Sequence, residues 1–141
     1  MVTIHLILGI TVLASSFAAG VWGAICWYLR KPSVPFWYLL RFAQAVVVLQ
    51  VAAGGVLLLL GHQASDLHYL YGVLPVVVSL LAEGARAQAN QHELEGLDFE
   101  SLPRERKQAV AAAIVRRETG IMSVSMLVIL GLALRAAFLQ V

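Results

Sequence analysis

The sequence predicts an all-α integral membrane protein, a four-transmembrane-helix bundle in up-down-up-down order. Of the 141 residues, 60% are hydrophobic, and the mean hydropathy of +0.83 is well above that of soluble domains. Only 13% of the residues are charged, and they are grouped so that long stretches between them carry no ionised side chain. Stretches of that length and composition are typical of membrane-spanning helices.

The ends of the helices are predicted from charges, prolines and turn residues. Arg30, Lys31 and two prolines end helix 1, because proline cannot continue a helix. Gly61 is predicted to form a left-handed cap after helix 2, and Asp66 to cap the start of helix 3. The four helices are predicted to span about residues 3–29, 36–61, 66–94 and 104–140.

Helices 3 and 4 each contain an uncharged stretch, residues 67–82 and 119–134, which spans about 24 Å at the helical rise. The polar residues 83–118 lie between these stretches and favour helix at both ends. The sequence therefore predicts that helices 3 and 4 extend beyond the bilayer as a cytoplasmic helical hairpin. Two alternatives stay open for this hairpin, namely a solvated structure that only packs on itself and a docking surface for a soluble partner.

The basic residues predict the orientation of the chain. One side holds nine of the ten, namely Arg30, Lys31, Arg41, Arg86, Arg104, Arg106, Lys107, Arg116 and Arg117. Arg135 is the only one near the other side. Because cytoplasmic loops are enriched in Lys and Arg, both termini are predicted to lie outside, in a multi-pass protein of the bacterial inner membrane. The net charge of +2 thus reports orientation and not a nucleic-acid partner.

Three histidines are predicted to share the outer level of the bundle: His5, His62 and His68. His5 and His68 each precede a glycine by four residues, Gly9 and Gly72, on faces of mostly small residues. Because helices 1 and 3 are diagonal in a simple up-and-down bundle, the two imidazoles would face each other across the core. That geometry suits haem b with two histidine ligands, loosely similar to b-type membrane cytochromes.

Arg135, near the outer end of helix 4, is predicted to meet a propionate of such a haem. Two alternatives remain for the same residues. His5, His62 and His68 together would suit a transition metal. Small-residue faces also occur in ordinary membrane helix packing, which needs no cofactor.

Gln50 is the deepest strongly polar side chain and is predicted to hydrogen-bond within the bundle, because lipid offers no partner. Serines at similar depth, among them Ser16 and Ser79, are the predicted partners. A ligand or quinone contact is the alternative.

A further pattern is the segment DLHYLYGVLP at residues 66–75, followed by Glu83 and Arg86, with RRE at residues 116–118 before helix 4. It resembles small bacterial four-helix integral membrane proteins whose function is uncharacterised. The resemblance covers most of the chain and implies the fold, but no activity.

The sequence contains no P-loop, no GxSxG and no HExxH, so a conventional enzyme has no support. It favours a non-enzymatic accessory or interaction subunit of a larger membrane assembly. Other membrane subunits or a second copy of the chain would be its partners, through the hairpin and the small-residue faces. The alternatives are a haem b electron-transfer protein and a small transporter.

Overall fold

A computed structural model describes residues 1–139. These residues form four α-helices, one short 3₁₀ helix and no β-strand. The helices are α1 (Val2–Tyr28), α2 (Val34–Leu59), α3 (Asp66–Leu94) and α4 (Arg104–Phe138), with the 3₁₀ helix at Phe99–Ser101. Each observed end lies within two residues of its predicted position; residue 140, the predicted end of helix 4, lies outside the described residues.

Turn residues explain where the helices begin and end. Gly61 follows α2 with a φ of 84°, the left-handed conformation predicted for it. The prediction that Asp66 caps α3 is wrong, because the cap is Ser65, whose hydroxyl accepts a hydrogen bond from the His68 N–H at 3.2 Å. Asp66 is instead the first helical residue, where its negative charge favours the helix dipole.

The polar segment between the last two apolar stretches is helical over most of its length. α3 continues through Pro75 to Leu94, and α4 begins again at Arg104. α3 and α4 pack against each other, and an ion pair of 2.6 Å between Arg117 and Glu93 joins their polar parts. α3 and α4 are therefore packed side by side, and each helix continues without a break from its apolar part into its polar part.

The helices pack closely where α1 presents glycines. α1 lies against α2 and α4, and α3 lies mainly against α4, whereas α2 and α3 share a smaller contact. A Cβ atom placed on Gly20 would lie 2.6 Å from a methyl carbon of Leu127, and one placed on Gly23 would lie 2.7 Å from Cβ of Ser123. The small-residue face of α1 is therefore filled by other helices of the same chain.

Large apolar side chains remain exposed along all four helices, among them Phe17, Leu49, Val73 and Val124. All four helices are long and apolar enough to cross a membrane. A soluble protein rarely exposes so much apolar surface to water, whereas a membrane protein exposes such a surface to lipid. The described chain therefore has the properties of a multi-pass membrane protein.

Candidate functional site

His5 and His68 meet at one end of the bundle. Each lies in the first turn of its helix, α1 or α3, and each is half-buried. The centroids of the two imidazole rings are 6.2 Å apart, and the ring planes are inclined by 65°. Two residues separated by more than sixty positions in the sequence thus form one site.

The His68 ring is oriented by the backbone of α4. Its Nδ1 atom lies 3.0 Å from the carbonyl oxygen of Ala136. Because a carbonyl only accepts, Nδ1 must carry the proton, which leaves the ring's lone pair on Nε2. The contact comes from a backbone carbonyl of another helix, and sequence spacing gives no signal for it.

The His5 ring is held by α2. Its Nε2 atom lies 3.3 Å from Nε2 of Gln50, and a Cβ atom placed on Gly54 would lie 3.2 Å from its Cε1. Nδ1 of His5 and Oε1 of Gln50 are both buried without a hydrogen-bond partner among the described residues. Buried polar atoms normally have a hydrogen-bond partner. The two atoms without one therefore leave His5 and Gln50 with unused hydrogen-bonding capacity.

The predicted serine partners of Gln50 do not bond to it. Ser16 and Ser79 each lie eleven residues beyond the histidine of their own helix, about 16 Å deeper along the axis. Their hydroxyl oxygens are buried without a partner among residues 1–139. Gln50 instead reaches toward the end of α1, because Gly9 leaves room for it: a Cβ atom there would lie 3.2 Å from the Gln50 amide nitrogen.

Replacing Gln50 with leucine should lower the free energy of unfolding by about 0.6–2 kcal/mol, the range for a hydrogen bond between membrane helices. The free energy falls because the His5 ring would stay partly buried but would lose its hydrogen bond to the Gln50 amide. Unfolding of the purified protein in detergent measures it, with the exposed Val48→Leu on the same helix as a near-neutral control. A more stable Gln50→Leu variant would show that the amide makes no useful bond.

The other predicted site residues lie at varying distances from the pair. No side chain lies within 4 Å of a Cβ atom placed on Gly72, so open space adjoins α3 one turn below His68. Arg135 is exposed and adjoins Ala136 in sequence, at the same end of the bundle. His62 is exposed in the loop between α2 and α3. Within residues 1–139 no three His, Cys, Asp or Glu side chains cluster as a metal site would require, so His62 does not complete a three-histidine site.

The donor set limits what the pair can bind. The centroids of the two imidazoles are 6.2 Å apart, so the rings are close enough to contribute to one binding site. With two protein donors only, a bare transition metal lacks the ligands it prefers. A haem carries nitrogen donors of its own, so His5 and His68 would be enough protein residues to hold one. The residues present therefore fit a haem better than a bare metal ion.

A second polar cluster, at the other end of the apolar stretches, was not predicted as a site. Arg41 of α2 pairs with Glu83 of α3, and Arg86 bonds Glu83 at 2.9 Å and Glu118 of α4 at 3.5 Å. Gln44 also donates to Glu83, at 3.0 Å. The residue that could have predicted this cluster is Arg41, because it lies well inside α2, where a charge requires a partner. The ion pairs join three helices.

Comparison with known proteins found no family model, no curated protein and no solved structure that matches the chain. The fold and the site define only a class of protein. In its described residues the chain is a small all-helical protein with four apolar helices. The resemblance to small bacterial membrane proteins and the looser similarity to b-type cytochromes stay predictions.

Proposed function

We propose that this chain is a haem b binding electron-transfer protein of the bacterial inner membrane, in which His5 and His68 would hold the haem iron. The observation that supports it is the 6.2 Å separation of two imidazoles that come from α1 and α3 and meet at one end of the bundle. The sequence alone made both residues candidates. Each was predicted to lie at the outer level of the bundle, and each was predicted to lie on a helix face of mostly small residues.

Each residue of the site has a defined task in this proposal. The Ala136 carbonyl fixes the His68 tautomer that presents Nε2 as the ligand. Gln50 holds the His5 ring, and the open space at Gly72 receives part of the macrocycle. Arg135, at the same end, supplies a cation for a propionate. When bound, the haem iron supplies one-electron chemistry, while the protein orients the ligands and limits water.

Gln50 also decides which nitrogen of His5 ligates. The amide contacts Nε2, and Nδ1 is the nitrogen without a partner. Ligation by Nδ1 would move the ring proton to Nε2, and the Gln50 amide would have to turn over so that its Oε1 accepts that proton. Ligation by Nε2 would require Gln50 to give up the contact altogether. Haem affinity of Gln50→Leu separates the two cases, since it falls in the first and is kept or raised in the second.

The accessory-subunit hypothesis is the second candidate. One of its expected contact surfaces, the small-residue face of α1, is filled within the chain by Leu127, Phe36 and Ser123. The polar hairpin of residues 83–118 remains as its contact surface. The haem content of the purified protein distinguishes the candidates: the haem proposal expects about one haem per chain after expression with added haem, and the accessory subunit expects none. Substrate flux in liposomes would instead favour a transporter.

For the orientation we propose the up-down-up-down order with both termini outside and the hairpin in the cytoplasm. The nine-to-one distribution of basic residues supports it. A reporter that is active only outside the cytoplasm should work when fused after Val141, a residue outside the described part, and should be inactive when inserted near Gly96. A reporter that is active only inside should give the reverse pattern. Exchange of the two results would overturn the orientation.

A further inference from the structure

A basic groove lies between the end of α1 and the middle of α4. Its volume is about 190 Å³, and its lining includes Arg30, Lys31 and Arg116 together with Trp27, Val115 and Thr119. Below it α1 and α4 are in close contact, because a Cβ atom placed on Gly120 would lie 2.8 Å from the Trp27 ring. Three basic residues therefore contribute to the lining of a groove whose surface is mostly apolar.

The charges of this groove are not balanced by the protein. Arg30, Lys31 and Arg116 form no ion pair with any other residue among 1–139, and no carboxylate lines the groove. The neighbouring charges of α4 do have partners, since Glu118 bonds Arg86 and Arg117 bonds Glu93. The acids thus face α3, while the unpaired cations face the end of α1.

The backbone at Arg30 supports a role for its side chain. Arg30 has a φ of 55° and is the only non-glycine residue among those described with a positive φ. It closes α1 with hydrogen bonds from Lys31 N–H to the Cys26 carbonyl at 3.0 Å and from Arg30 N–H to the Trp27 carbonyl at 3.2 Å. That position in a helix cap normally holds glycine.

The end of α2 shows the unstrained version of the same turn. His62 N–H bonds the Leu57 carbonyl at 3.1 Å and Gly61 N–H bonds the Leu58 carbonyl at 3.0 Å, with glycine in the left-handed position. Arginine has a Cβ atom and is disfavoured there. Backbone strain of this kind is often found at functional positions, and Arg30 is one of the residues that line the groove.

We propose that this groove binds the headgroup of an anionic phospholipid. Guanidinium groups match phosphate oxygens in geometry and charge. Basic pockets between membrane helices are suited to anionic headgroups. Trp27 lines the groove and Tyr28 follows it in the sequence, and such aromatic residues favour the level of the headgroups. The acyl chains would run from the groove toward the uncharged stretch of α4 that begins at Thr119. A lipid held there would neutralise the three cations and fasten α1 to α4.

Titration of phosphatidylglycerol into the full-length protein in detergent, followed by native mass spectrometry, tests the proposal. The protein should bind phosphatidylglycerol in preference to phosphatidylcholine. Arg30→Gly should weaken that binding about fivefold while leaving the helix cap as stable or more stable, because glycine relieves the left-handed strain. Lys31→Gln and Arg116→Gln should weaken it similarly. Arg106→Gln is the matched control, since it removes an exposed cation of the same polar segment outside the groove.

Four results would overturn the proposal: equal binding of the two lipids, equal weakening by Arg106→Gln, unchanged binding in Arg30→Gly and Lys31→Gln, or displacement of the lipid by inorganic phosphate at comparable concentration. The last result would identify a phosphate site without a lipid requirement. Thermal unfolding of each variant accompanies the titration, so that loss of the fold is not mistaken for loss of binding.

Discussion

Replacing His68 with alanine should abolish low-spin haem binding and reduce the haem content of the purified protein at least about tenfold. The reason is that, under the haem proposal, His68 would be one of only two protein ligands, and among residues 1–139 no third His, Cys, Asp or Glu side chain groups with the pair. His5→Ala should reduce the haem content in the same way, because it removes the other proposed ligand. The absorption spectrum of each variant, before and after reduction, measures the loss.

His62→Ala is the control for these variants. His62 is exposed in the loop after α2, so its removal should change neither haem content nor spectrum. If His62→Ala lost the haem while His68→Ala retained it, the ligands would have been assigned to the wrong histidines. Thermal unfolding of all three variants shows whether the bundle itself is intact.

Proline at Ala113 should cost about 3 kcal/mol or more of folding free energy. Ala113 is exposed in the interior of α4, so the loss would come from the backbone and not from buried contacts. Proline there removes the N–H that bonds the carbonyl of Ala109 and places its ring against that carbonyl. Thermal or denaturant unfolding in detergent measures the change.

Arg104→Pro is the matched control for Ala113→Pro. Arg104 is the first residue of α4, where the N–H has no partner in the helix and proline is tolerated. Equal stability of the two variants would mean that the polar part of α4 is not helical in the membrane-bound protein. A large loss for Ala113→Pro alone would support the continuous helix.

The helices were predictable because their determinants are local. Proline, clustered charges and the glycine at Gly61 act within a turn of their own position, so the bounds followed from the sequence. The cap of α3 was assigned one residue late, because Ser65 and Asp66 are both good caps and only the side-chain geometry separates them. The strain at Arg30 had no signal, since arginine does not mark a left-handed turn.

The site was predictable in part, because helix periodicity gives level and face but not the partners across helices. Steps of three and four residues placed His5 with Gly9 and His68 with Gly72. The contact of His68 with the Ala136 carbonyl and that of Gln50 with His5 depend on how α4 and α2 are rotated about their own axes. That rotation is set by side-chain packing across the whole bundle, which a single helix pattern does not contain.

The most direct test of the haem proposal is the reduced-minus-oxidised absorption spectrum of the full-length protein, expressed with haem supplied and supplied again after purification. We predict a Soret band that shifts on reduction, with the low-spin form expected of two histidine ligands. A colourless preparation under both conditions would contradict the assignment of His5 and His68 as haem ligands.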